Sequence, residues 1–133
     1  MPLPISWTSY TVLLVLLLAA DAVWLILRGD YHRRLFAAVQ GGVPLEVRWL
    51  PALGVYLVLA AMVLFGALKD ATSIADAARR GAAVGAAAYA FYDLTNYATL
   101  KNYTFEMTVV DIAWGTSLCA GTAAAAYAYL KAA

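Results

Sequence analysis

From Trp7 to Leu27 the chain carries a single charged side chain, Asp21, in a run otherwise apolar enough to cross a bilayer. A helix needs about 20 such residues to span a hydrocarbon core of roughly 30 Å. Three further stretches meet that length: Trp49 to Leu68, Arg80 to Leu100 and Met107 to Leu130. In lipid the backbone must satisfy its own hydrogen bonds, which leaves helices or closed barrels, and runs this long select helices. The expected fold is therefore all-α, an integral membrane four-helix bundle forming a single domain over residues 1–133. Composition agrees: 65% of residues are hydrophobic, 13% are charged and the mean hydropathy is +0.76. Soluble domains are about half apolar and a quarter charged. A net charge of +1 without a basic tract argues against a nucleic-acid partner. Cys119 is the only cysteine and reads as a small packing residue.

The leucine-rich run from Leu13 to Leu18 ends in Ala19 and Ala20, as a signal peptide might be written. No Lys or Arg precedes it and the apolar stretch resumes at Val23, so a retained first span is expected. In the connection from Arg28 to Arg48, Tyr31, Leu35, Phe36 and Val39 fall on one helical face and Arg33 and Arg34 on the other. That pattern predicts a short interfacial amphipathic helix between helices 1 and 2. Gly41 to Pro44 would end it. His32, in the same segment, is assigned no role. Ser73 with Asp76 forms a capping box and starts helix 3, and Gly81 and Gly85 make a G-x-x-x-G pattern. The connection from Lys101 to Thr104 is so short that helices 3 and 4 must be antiparallel neighbours. Basic residues follow the first span but none precedes it, which points the Arg28 and Lys101 side to the cytoplasm. The expected topology is multi-pass.

Three aspartates lie inside these spans. Counting 1.5 Å per residue from the span ends puts Asp93 and Asp111 about 13 Å deep, Tyr56 about 12 Å, Asp21 about 10 Å and Asn96 about 9 Å. All four helices thus give a polar group to one layer. Asp21 precedes Trp24 by three residues, Asp111 precedes Trp114 likewise, and Asp93 precedes Asn96, so each pair shares a helix face. An aspartate at the bilayer centre costs about 2.5 to 3.5 kcal/mol on insertion scales, so three without partners approach 10 kcal/mol. The nine basic residues all sit at or beyond the span ends, which removes internal salt bridges as the main remedy. Protonation with hydrogen bonds, a bound inorganic cation, or a cationic ligand remain. Desolvation and mutual repulsion lead us to expect one of the three aspartates to be protonated at neutral pH.

The motifs D-x-x-W-L at Asp21 to Leu25, YDLTNYATL at Tyr92 to Leu100 and D-x-x-W-G at Asp111 to Gly115 carry a resemblance. The chain resembles the family of small bacterial integral membrane proteins known as domain of unknown function 2177. The resemblance implies a multi-span protein of a bacterial inner membrane and supplies no catalytic residues, so the site rests on the depth argument.

Three functions suit such a layer. In the first, Asp21, Asp93 and Asp111 bind a small molecule, cation or proton, Asn96 orients it, and Trp24, Trp114, Tyr92 and Tyr56 wall the pocket. Aromatic faces beside carboxylates suit an amine by cation-π attraction, and a transporter this small would work as a homo-oligomer. In the second, two of the aspartates act as acid and base on a lipid or isoprenoid. No metal motif such as H-x-x-E-H accompanies them, and no cofactor is indicated. In the third, the layer is hydrogen-bonded glue in a structural or accessory subunit.

Overall fold

Side-chain caps fix where the helices begin. Ser6 Oγ accepts from the Ser9 N–H at 3.1 Å, Ser73 Oγ from Asp76 at 3.0 Å and Thr104 Oγ1 from Met107 at 3.0 Å, each satisfying a donor the first turn leaves open. The computed structural model describes residues 2–133. Its helices are α1 (Trp7–Val39), α2 (Trp49–Val63, continued by a π-helical turn, Leu64–Leu68), α3 (Ile74–Thr99) and α4 (Phe105–Ala132). No strand occurs among the described residues. The chain is an all-α bundle, and α1, Trp49–Leu68 and α4 are each long and apolar enough to cross a membrane.

The first helix departs from expectation. No separate interfacial helix follows a break at Arg28; α1 runs unbroken for 33 residues, about 50 Å. Nothing in the sequence stops it before Gly41 and Gly42, whose positive φ angles of 72° and 93° close the helix. The Gly42 N–H returns to Ala37 O at 2.7 Å and the Gly41 N–H to Ala38 O at 3.3 Å, the paired bonds of a Schellman end. The apolar face assigned to the membrane interface instead covers the turn between α3 and α4. Leu35 is buried there with Tyr103 and Met107, flanked by Tyr31, Phe36 and Val39. Tyr31 Oη and Thr104 Oγ1 share a hydrogen bond of 2.9 Å, and Asn102 Nδ2 donates to Ala38 O at 3.0 Å.

The closest helix pair is α3 with α4, packed antiparallel as their short connection requires. A Cβ at Gly81 would lie 2.3 Å from Cys119 O, and one at Gly85 would lie 2.2 Å from Gly115 O. The G-x-x-x-G pattern therefore marks backbone-to-backbone approach. A second core joins Leu13 and Leu17 of α1 to Val63 and Leu68 of the second helix and Cys119 of α4, all fully buried. Large apolar side chains also cover the outside, Ile26 and Leu50 among them, as lipid-facing helices permit. Trp7 and Trp49, at the starts of α1 and α2, are 84% and 78% exposed.

Candidate functional site

Two indoles set the rotation of α1 against α4. Trp24 and Trp114 stack with ring centroids 4.6 Å apart and planes within 4°. One turn away on α1, Asp21 consequently faces α4, and Trp114 Nε1 donates to its Oδ1 at 2.8 Å. From α2, the Tyr56 hydroxyl donates to Asp21 Oδ2. Both carboxylate oxygens of Asp21 are thereby engaged, by two different helices, in a buried position.

A second centre lies between α3 and α4. Asp93 is fully buried, and its Oδ1 accepts from the Tyr103 hydroxyl. Its Oδ2 is buried with no hydrogen-bond partner among the described residues. The carboxyl of Asp111, itself buried, stands within hydrogen-bonding reach of Asp93. Asn96 lies beside the hydroxyls of Tyr92 and Tyr103 and so approaches Asp93 through a tyrosine. Tyr92 is 51% exposed and turns half of its surface out of the bundle.

The three aspartates thus divide into a donor-saturated Asp21 and a facing pair, Asp93 with Asp111. Among the described residues, no three His, Cys, Asp or Glu side chains stand close enough together to hold a metal ion.

Two participants lie outside the layer that counting residues along the spans predicts. Tyr103, in the connection between helices 3 and 4, is only 4% exposed. The turn, closed by a bond from the Tyr103 N–H to Leu100 O at 3.1 Å, folds it back under α3. Burial and the Asp93 carboxyl beside it push the Tyr103 phenol above its ordinary range. The shortness of the connection was the available signal, because a tight turn leaves its side chains close to the helices it joins.

Arg28 was placed outside the polar layer. Because α1 does not bend there, its guanidinium lies 4.3 Å from the Tyr31 ring centroid and 5.7 Å from that of Trp24. Its charge reaches Asp111, and its Nη2 is 3.8 Å from Glu106 Oε1. The layer therefore does have a cation at its edge. His32 Nδ1 lies 3.0 Å from Arg28 O.

The family described as "Predicted membrane protein (DUF2177)" matches residues 6–128. The chain belongs to that family. No curated protein and no solved structure matches it. The DUF2177 match runs from the cap of α1 to the last turns of α4 and so takes in both carboxyl centres.

Proposed function

We propose that this protein binds a proton within the membrane at the Asp93 and Asp111 pair, in a four-span bundle in which α3 crosses alongside α4. Asp93 is the reason. It is fully buried, one of its oxygens has no donor among the described residues, and the group it meets is a second carboxyl. Two ionised carboxylates in contact suffer both desolvation and repulsion. One proton between them turns two acceptors into a donor and an acceptor and leaves a single negative charge. The Tyr103 hydroxyl fixes the other oxygen of Asp93, and Arg28 places positive charge near Asp111.

Glue between membrane helices requires only hydrogen-bonding side chains, each contributing about 0.6 to 2 kcal/mol. A carboxyl pair adds a charge that a buried contact does not need, which favours proton binding, or exchange of the proton for a small cation. Infrared spectroscopy of the purified protein between pH 5 and 9 tests this. A carbonyl band from a protonated carboxylic acid is expected at neutral pH and should vanish in Asp93→Asn and in Asp111→Asn. Absence of that band from the wild type, or its persistence in both variants, overturns the reading.

A further inference from the structure

Beside the carboxyl pair, α1 holds buried N–H donors that lack a hydrogen-bond acceptor. Trp24 Nε1, Arg28 Nε and Arg28 Nη2 are buried N–H groups without a hydrogen-bond acceptor among the described residues. Glu106 Oε1, 3.8 Å from Nη2, forms an ion pair with it but lies beyond hydrogen-bonding distance. The two side chains are four residues apart and share one helix face. A buried donor left unpaired costs about 1 to 3 kcal/mol, and more when charged. Three together suit an acceptor with several oxygens, and phosphate presents them in the geometry a guanidinium matches. The nearby acid modifies that preference: Glu106 opposes a purely anionic ligand and complements an ammonium. A phosphate with an amine a short distance away satisfies both signs.

An apolar crevice lies on the other side of the stacked indoles. Trp114, stacked on Trp24, lines one end of an open seam between α1 and α4. Two hollows of about 270 and about 470 Å³ adjoin there, sharing Leu16 and Ala125 in their walls. Together they extend from Ala20 and Trp114 to Thr11 and Tyr129. The nine steps from Ala20 back to Thr11 span about 14 Å along α1. Polar donors at one end and an apolar trough below them reproduce the division of an amphiphile into head and chain.

We propose that the seam binds an ethanolamine phospholipid, its phosphate on Arg28 and Trp24, its ammonium towards Glu106, and an acyl chain along α1 and α4. These donors hydrogen-bond neither carboxyl of the proton pair, so lipid retention and the infrared band are separate readouts.

Native mass spectrometry of the detergent-released protein, offered phosphatidylethanolamine and phosphatidylglycerol of identical chains, provides the test. Phosphatidylethanolamine should be retained about tenfold better, equivalent to about 1.4 kcal/mol. Arg28→Gln and Trp24→Phe should each lower its retention severalfold, the latter removing the N–H while leaving a ring to stack. Gly121→Leu should do the same by filling the trough. A Cβ at Gly121 meets nothing within 4 Å, so this variant keeps the test open if an Arg28 variant fails to fold. Equal retention of the two lipids, or phosphatidylethanolamine retention unchanged in Trp24→Phe and Gly121→Leu, overturns the proposal.

Discussion

Trp114 Nε1 donates a hydrogen bond of 2.8 Å to Asp21 Oδ1, joining residues 93 apart in the chain. Each of the two aspartates that precede a tryptophan by three residues has its own local indole, yet Asp21 uses the indole of the opposite helix. The stacked pair Trp24 and Trp114 acts as the spacer that makes this exchange geometrically available.

Replacing Trp114 by Phe keeps a ring against Trp24 and removes one donor from Asp21. Tyr56→Phe removes the other. Each is expected to lower stability by about 1 to 3 kcal/mol, the cost of leaving a buried acceptor unsatisfied. Thermal unfolding in detergent measures this, and a loss below a few tenths of a kcal/mol in both variants would show that Asp21 does not depend on these donors.

Tyr103→Phe takes from Asp93 its hydroxyl donor while preserving the ring that packs against Phe36, at a centroid distance of 6.3 Å. A loss of about 1 to 3 kcal/mol is expected here too. The carbonyl band assigned to the carboxyl pair should also shift in frequency, which a loss of packing by itself would not cause.

Glycine substitutions should separate sharply by position. Gly81→Ala and Gly85→Ala each put a methyl group into backbone of α4, at 2.3 Å and 2.2 Å, and α3 can accept them only by moving away. Overpacking of this kind costs about 1 to 3 kcal/mol, occasionally more. Gly54→Ala and Gly121→Ala meet nothing within 4 Å and are expected to leave the melting temperature unchanged or slightly raised. Similar melting temperatures for all four would contradict the close approach of α3 and α4.

At the start of α3, Asp76 is held below the usual carboxylate range, from 3.8 to about 2, first by Arg79, then by the Thr72 N–H, and by Arg80. The unfolded chain binds this proton more readily, so the stabilisation is present above about pH 4 and is lost as pH falls towards 2. Solvent screening keeps it small. Asp76→Asn should flatten the stability profile between pH 2 and 4, lowering stability slightly at neutral pH and leaving it nearly unchanged near pH 2. An unchanged acid slope would remove Asp76 as its source.

Much of this was readable along the chain, because it depends on neighbours in sequence. Ser73 with Asp76 is a local hydrogen-bonding pattern, and it caps α3 where its motif placed it. Gly81 and Gly85 announced a close contact without naming its partner, since a glycine records only that no side chain fits. Arg28 and Tyr31 were harder to read: a run of mixed polarity looks alike whether its apolar face meets lipid headgroups or another helix. Here the face meets the turn containing Tyr103.

By itself the sequence determined an all-helical chain built from long apolar runs, with aspartates set at helical spacing from aromatic rings, because backbone hydrogen bonding in an apolar medium and a period of 3.6 residues per turn act locally. Only the tertiary structure decided which donor each carboxyl received. Depth along a helix follows from counting residues, whereas the direction a side chain faces follows from how each helix is rotated against its neighbours. That rotation, fixed by the Trp24 and Trp114 stack and by the glycines between α3 and α4, gave Asp21 two donors and set Asp93 against Asp111.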